Sequence, residues 1–247
     1  MSLDHEAARG LGTVRVVGTG LLGSSIALGL RSGGARVVLY DPSPTALALA
    51  RDIGAGEVYR GAVPIDLVIV AAPPDVTADV VELEIKAHPT ATVTDVASVK
   101  SDVFVSLAVR DIDISRYVGG HPLAGKERSG PIAAREDLFL GRPWVICATP
   151  RTCPESVASA RSLVRALGAS PVVMTPQEHD EAVAVVSHVP QVTASLLAAR
   201  LREVSNTAVG LAGQGLRDTI RIAGSDPNLW AQILSGTRLN WASLHEG

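Results

Sequence analysis

A glycine-rich segment near the amino terminus has the spacing of a dinucleotide-binding loop. Gly18, Gly20 and Gly23 follow an apolar run and precede a helical run in the pattern G-x-G-x-x-G. In such a loop the first glycine permits a tight turn, the second lets a pyrophosphate approach the backbone, and the third lets the helix pack on the strand. Asp41 stands at the end of the next apolar run. The spacing therefore predicts a pyrophosphate at the helix N-terminus and a ribose at Asp41.

Asp41 also indicates which dinucleotide is bound. A carboxylate at this position repels a 2′-phosphate, and no Arg or Lys occupies positions 42–50 to neutralise one. We therefore expect NAD rather than NADP. Leu22, inside the loop, and Pro73, after the apolar run 67–71, complete the expected cofactor-binding set. The alternative is that the glycines form only a tight turn.

Two later segments place polar side chains at the expected carboxyl ends of strands, where open α/β sheets bind ligands. One is TDVASVK at 94–100, which includes Ser98, and the other is the Gly-Gly-His-Pro turn that carries His121. An imidazole held near a nicotinamide ring is a good acceptor for a hydroxyl proton during hydride loss. The alternative is that His121 is a loop histidine without a chemical role.

The C-terminal part of the chain carries further polar segments. His188 and Gln191 lie in the run SHVPQ, and Arg221 lies in the run RDTIRIA at 217–223. His179 and His188 are nine residues apart, so a regular helix would place them on opposite faces. We therefore expect His179 at the domain interface rather than in the site.

Alternating β-rich and helical runs predict the elements that position these residues. The expected strands are 14–17, 36–40, 67–71, 92–94, 117–118, 143–148 and 171–174, with helices at 21–32, 43–53, 75–87 and 154–167. This alternation is typical of an α/β fold with a doubly wound, mostly parallel Rossmann sheet, here over residues 13–174. From 175 to 247 only helical runs occur, which predicts a smaller all-helical domain.

The composition excludes several classes of protein. The chain has 247 residues, 47% hydrophobic and 19% charged, with a net charge of -3, as is typical of globular proteins. Without a large positive field, nucleic acid is not an expected partner. The apolar run 67–74 is too short to span a bilayer and no signal peptide is visible, so we expect a cytoplasmic protein without a membrane partner. The two cysteines lack the spacing of a metal site, and no metal is expected.

Taken in chain order, these segments resemble the prephenate/arogenate dehydrogenase family of tyrosine biosynthesis. The resemblance extends from about Val14 to about Trp230. It rests on the runs GHPxAGxExSG at 120–130, SHxP at 187–190 and RDxxRIA at 217–223, all behind the glycine fingerprint. It implies an NAD-dependent oxidoreductase that converts prephenate to 4-hydroxyphenylpyruvate by oxidative decarboxylation.

The resemblance also implies roles for individual residues. His121 would accept a hydrogen bond from the ring hydroxyl of the substrate, Ser98 would orient that hydroxyl and the imidazole, and Arg221 would bind a substrate carboxylate. Glu127 and His188 would lie near the site. Many relatives carry a histidine where this chain has Gln191, so the resemblance leaves the choice between prephenate and arogenate open.

Relatives also continue with further helices that build a dimer. The resemblance thus implies a homodimer through the helical domain, and leaves open whether that domain is truncated here. The alternatives are an arogenate dehydrogenase giving tyrosine, another dehydrogenase with a Rossmann and a helical domain, and a non-enzymatic NAD-binding protein. A 3-hydroxyacid dehydrogenase or imine reductase tends to use a lysine of the helical domain, and this chain has no lysine after Lys126.

Overall fold

The chain divides into two compact units, and each is described by itself. The computed structural model describes residues 3–61, 63–124 and 130–236. The first unit ends at His179 and the second begins at Asp180. Strands and helices alternate in the first unit, and the described part of the second contains helices alone.

The first unit is built on one sheet of eight strands in the order β3-β2-β1-β4-β5-β6-β7-β8. All neighbouring strands are parallel except β6 and β7, which run antiparallel. The doubly wound, mostly parallel sheet predicted from the sequence is thereby confirmed. The strands are β1 Thr13–Val17, β2 Arg36–Tyr40, β3 Glu57–Val58, β4 Leu67–Val70, β5 Thr92–Asp95, β6 Tyr117–Pro122, β7 Pro143–Cys147 and β8 Ser170–Met174.

The strand order reverses between β1 and β4. Chain order runs outwards from β1 through β2 to β3 on one side, and from β4 through β5 to β6 on the other. In open α/β sheets a crevice opens at such a point, outside the carboxyl ends of the strands, and ligands bind there. The segments after β1, β4, β5 and β6 therefore surround the expected binding crevice.

Helices cover both faces of this sheet. They are α1 His5–Arg9, α2 Leu21–Ser32, α3 Pro44–Asp52, α4 Thr77–Ala87, α5 Ser101–Ala108 and α6 Pro154–Ala166, and α7 Pro176–Val183 begins at the end of the unit. Strand β4 is buried on both faces, with Leu67 and Ile69 in one apolar cluster and Val68 and Val70 in the other. Full burial of each such side chain stabilises the fold by about 1.5–3 kcal/mol.

The sequence did not predict α1, β3 or α5. Helix α1 has five residues, too few for a periodic apolar signal, yet Asp4 caps it by accepting from the N–H of Ala7 at 3.0 Å. Ala8 of this helix is fully buried in the core. The N-terminal segment before residue 13 therefore belongs to the fold.

The second unit contains helices throughout its described part. A π-helical turn at Ala184–His188 is followed by α8 Val189–Arg200, α9 Asn206–Val209, α10 Gln214–Ile220 and α11 Pro227–Gly236, with 3-10 turns at Leu201–Glu203 and Arg221–Gly224. The π turn matters because the expectation of opposite faces for His179 and His188 assumed a regular α-helix. A π turn inserts an extra residue and breaks that periodicity.

One helical run, Pro176–Glu203, is long and apolar enough to cross a membrane by length and composition. It has 28 residues and a window of mean hydropathy 1.5, of which 28% is buried. A helix of a soluble protein can meet the same criterion, so the run is weak evidence for a membrane span.

Candidate active site

The three glycines of the fingerprint meet different steric conditions. Gly18 follows β1 with a φ of +94°, and a Cβ there would lie 2.3 Å from the carbonyl oxygen of Ala71. A Cβ on Gly23 would lie 1.9 Å from the carbonyl oxygen of Gly18. A Cβ on Gly20 would meet no atom of the described chain within 4 Å. Of the three fingerprint glycines, Gly20 is the one with open space for a ligand against its backbone.

Helix α2 begins at this open space. Gly20 is its N-cap, and no side chain of the described residues caps it. The first intrahelical donor is the N–H of Ser24, which pairs with the carbonyl of Gly20 at 3.0 Å. Helix geometry therefore leaves the N–H groups of Leu21, Leu22 and Gly23 without intrahelical acceptors. These donors and the helix dipole favour an anion such as a pyrophosphate.

Asp41 follows β2 beside the same loop. One carboxylate oxygen accepts from the backbone N–H of Thr19 at 2.6 Å and from its hydroxyl at 2.9 Å. The other oxygen accepts from the N–H of Ser43 at 2.8 Å. A carboxylate has about four acceptor positions, so these three bonds leave capacity for a ribose hydroxyl. Asp41 thus also ties the glycine loop to the end of β2, a structural role that the sequence pattern did not indicate.

Pro73 and Ser98 follow the neighbouring strands β4 and β5. Pro73 comes three residues after β4 ends, directly before the 3-10 turn Pro74–Val76. Ser98 is half-buried in the turn between β5 and α5. Both residues therefore lie in the segments that surround the crevice described above.

His121 lies within β6, beyond the part of that strand that pairs with β5. Pairing with β5 ends at Val118, whereas pairing with β7 continues through Gly120 and His121 to Pro122. The backbone of the histidine is therefore held by the antiparallel partner strand. Its half-buried side chain belongs to an ordered strand rather than to a loose turn.

His179 contacts His121 directly. Nδ1 of His121 and Nε2 of His179 are 2.7 Å apart, and the ring centroids are 5.0 Å apart at an interplanar angle of 67°. His179 is completely buried. The expectation that His179 would be only an interface residue did not foresee this pair. The two residues are 58 positions apart, so no local sequence signal could have joined them.

This contact constrains the proton on His121. One nitrogen of the pair must donate and the other must accept. When Nδ1 of His121 donates to His179, Nε2 of His121 is an acceptor in the neutral ring. That tautomer is the one a general base requires if Nε2 is to receive a proton.

The other predicted residues belong to the second unit or lie outside the described residues. His188 is buried and its ring makes an edge contact with Trp230, with centroids 5.8 Å apart. Gln191 is buried, and its amide nitrogen donates to the hydroxyl of Ser195 at 3.4 Å. Arg221 has an exposed side chain and begins the 3-10 turn that follows α10. Glu127 lies outside the described residues.

No group of three or more His, Cys, Asp or Glu side chains within residues 3–61, 63–124 and 130–236 is arranged to hold a metal ion. The candidate site within the first unit comprises the uncapped N-terminal end of α2, Asp41, Ser98 and the paired histidines. Such a set can bind a dinucleotide and move a proton.

Comparisons with known proteins identify the family. Residues 26–173 match the family model described as prephenate dehydrogenase, nucleotide-binding domain, and residues 175–246 match the one described as prephenate dehydrogenase, dimerization domain. The chain belongs to the prephenate dehydrogenase family. The resemblance predicted from the sequence motifs is thus confirmed.

Individual relatives agree with this assignment. The chain is 39% identical over 224 residues to a Streptomyces niveus protein named "Probable prephenate dehydrogenase NovF", covering 90% of this chain and 62% of that protein. It therefore spans less than two thirds of that relative's length.

Two solved structures of relatives are also similar to this chain. The first is prephenate dehydrogenase from A. aeolicus in complex with hydroxyphenyl propionate and NAD+, with a TM-score of 0.86, 29% identity, and coverage of 96% of this chain and 86% of that chain. The second is Synechocystis arogenate dehydrogenase, with a TM-score of 0.78, 30% identity, and coverage of 95% and 87%. Two proteins named for different substrates, prephenate and arogenate, are thus similar in fold to this chain.

Proposed function

We propose that this member of the prephenate dehydrogenase family is an NAD-dependent enzyme that converts prephenate to 4-hydroxyphenylpyruvate. The observation that carries the proposal is the His121–His179 pair at the carboxyl end of β6. It lies on the same edge of the sheet as the anion-binding end of α2, because β1 and β6 run in the same direction. A base and a dinucleotide site on one edge are what a dehydrogenase needs.

The fit of NAD to this edge supports the cofactor. Gly20 and the first N–H groups of α2 would hold the pyrophosphate, together with Leu22 and Gly23, and Asp41 would accept from the adenine-side ribose. Strand β6 lies two strands from β4, about 10 Å away at about 4.8 Å per strand, and β4 borders the switch point. We therefore infer that the nicotinamide end of NAD would extend from the glycine loop past Pro73 towards β6. Bound NAD supplies the acceptor for the hydride.

His121 acts as the general base in the proposed reaction. As the carbinol carbon loses its hydride, the hydroxyl proton passes to Nε2 of His121, and His179 holds the ring through Nδ1. The electrons of the bond to the leaving carboxylate then enter the ring, CO₂ departs, and the proton returns to the phenolate oxygen. No net proton is released, and aromatisation drives the step forward. Ser98 orients the hydroxyl.

The substrate contacts of the second unit are part of the same proposal. By the family resemblance, Arg221 would bind a carboxylate, and His188 and Gln191 would line the substrate side. Arogenate is the second candidate substrate, because Gln191 brings an uncharged amide to a buried position. The similar protein from Synechocystis is named arogenate dehydrogenase, which also supports arogenate as a candidate substrate. We further propose a cytoplasmic homodimer assembled through the helical domain, in line with the dimerization-domain match.

The test is a comparison of substrates and cofactors with the intact chain. NADH formation is followed with prephenate and with arogenate, and NADP is offered in place of NAD. The proposal predicts turnover of prephenate with NAD, with weak use of NADP. Exclusive turnover of arogenate selects the second candidate. Absence of NADH formation with both substrates would overturn the proposed activity.

A further inference from the structure

Asp95 lies between the two segments that carry the proposed catalytic side chains. It is the last residue of β5 and is completely buried. We propose that Asp95 is a positioning residue, which holds the Ser98 turn and the His121 segment of β6 in a fixed relation. This inference rests on the proposed function, because it concerns the alignment of the base and its neighbour.

The carboxylate of Asp95 uses both of its oxygens. Oδ1 accepts from the phenol of Tyr117 at 2.8 Å and from the N–H of Gly120 at 3.1 Å. Oδ2 accepts from the N–H of Ala97 at 2.9 Å and from Nζ of Lys100. Four bonds fill the acceptor capacity of a carboxylate. Asp95 is therefore occupied with holding its neighbours and has no acceptor position left to act as a base.

Each backbone partner of Asp95 stands next to a proposed catalytic residue. Gly120 directly precedes His121, and Ala97 directly precedes Ser98. One rigid carboxylate therefore fixes the backbone of both segments. A shift of either segment would stretch a bond to Asp95, so the relative position of imidazole and hydroxyl depends on this group.

Sheet geometry explains why a side chain is needed here. The parallel pairing of β5 with β6 ends at Thr94 and Val118, so the N–H of Gly120 lies beyond the backbone pairing of these two strands. The Asp95 side chain provides the acceptor instead. The approach is close, because a Cβ on Gly120 would lie 2.4 Å from the carbonyl oxygen of Asp95.

The charge of Asp95 is balanced within the same cluster. Lys100 is completely buried and forms an ion pair with Oδ2. Burial, and next the negative charge of Asp95, raise the pKa of Tyr117 well above its ordinary value. Tyr117 thus keeps its proton and remains a donor. Removal of one member of a buried ion pair leaves the other uncompensated, so Asp95 and Lys100 each depend on the presence of the other.

The test replaces Asp95 while preserving its shape. Asp95→Asn retains the volume but turns one oxygen into a donor that faces Nζ of Lys100 or a backbone N–H. We expect kcat to fall about 10- to 100-fold, because misplacement by about 1 Å can cost that much. The Kd for NAD and the KM for substrate should stay within about threefold, since Asp95 is completely buried and its acceptor positions are occupied by protein groups. Asp95→Asn/Lys100→Met tests the same claim without an unpaired ammonium if the single variant does not fold.

Thr92→Val is the matched control. Thr92 lies on the same strand, three residues before Asp95. The substitution removes the buried hydrogen bond that the Thr92 hydroxyl donates to the Ser156 hydroxyl at 3.0 Å. We expect lower stability but wild-type kcat. A folded Asp95 variant with wild-type kcat, or one whose NAD affinity falls as much as its kcat, would overturn the positioning role.

Failure of the proposed activity can be told apart from failure of this inference. If the wild-type chain turns over neither prephenate nor arogenate, the proposed function fails. The positioning role is then judged from the imidazole NMR signal of His121, assigned by its loss in His121→Asn. A shift of that signal in Asp95→Asn but not in Thr92→Val supports the role, and an unchanged signal in both contradicts it.

Discussion

Gly20→Ala separates ligand binding from folding at the glycine loop. The new methyl would meet no atom of the described chain within 4 Å, and the backbone of Gly20 is extended, with φ -69° and ψ -162°. An alanine adopts this conformation without strain. Loss of a favourable N-cap costs up to about 1 kcal/mol, and reduced freedom of the unfolded chain returns about 0.4–1 kcal/mol. We therefore expect little change in the free energy of unfolding.

The same methyl fills the space in which a phosphate would approach the N–H groups of α2. Loss of one hydrogen bond to a charged group costs about 1.5–3 kcal/mol. Since about 1.4 kcal/mol corresponds to a factor of ten, the Kd for NAD should rise roughly 10- to 150-fold. The effect should fall on dinucleotide affinity alone, with the thermal unfolding curve of the ligand-free chain unchanged.

Isothermal titration calorimetry with NAD measures this change, and Gly213→Ala provides a matched control. Gly213 is also an N-cap glycine with extended backbone, and a Cβ there would likewise meet no described atom within 4 Å. Its replacement should leave NAD affinity unchanged. Wild-type affinity in folded Gly20→Ala would refute the assignment of α2 as the pyrophosphate site.

Three further outcomes follow from the structure. Arg15→Met should lower the free energy of unfolding by about 3–5 kcal/mol in urea titrations, because it leaves the buried Glu84 without the guanidinium that pairs with it at 2.8 Å. Additional replacement of Glu84 by Leu should restore part of the loss. Burial lowers the pKa of His88 below its ordinary value of about 6.5. Below pH 6.5 the unfolded chain therefore binds a proton that the folded chain does not, and the free energy of unfolding should fall as the pH drops. Thermal unfolding of His88→Gln should lack this pH dependence. Arg221→Ala should raise KM far more than it lowers kcat in steady-state assays, because the carboxylate charge it binds disappears in the transition state, and the reverse pattern would contradict its role.

The sequence predicted the elements with strong apolar periodicity. Strands β1, β2 and β4 and helix α2 begin where the apolar runs predicted them, within one residue, because buried parallel strands require near-continuous apolar side chains. The glycine fingerprint likewise depends on local spacing and so could be recognised. Helix α1 and strand β3 are too short to carry a period, and α5 was missed although its burial pattern is amphipathic.

The parts of the site that sequence could not predict depend on contacts between distant residues. The His121–His179 pair joins β6 to a helix 58 residues later. The carboxylate of Asp95 accepts from the N–H of Gly120, 25 residues later, just beyond the point where the pairing of β5 with β6 ends. Neither contact leaves a mark in local composition or periodicity. The motif runs at 94–100 and 120–122 pointed to these segments, but only the fold relates them.

In the proposed reaction His121, held by His179, takes the substrate proton as hydride moves to NAD. The most direct measurement is the pH dependence of the single-turnover rate of NADH formation, for the wild-type chain and for His121→Asn. The wild-type rate should fall at acidic pH as the imidazole becomes protonated, whereas His121→Asn should be slow and lack that decline. A His121→Asn chain with a wild-type rate and the same acid decline would contradict the account.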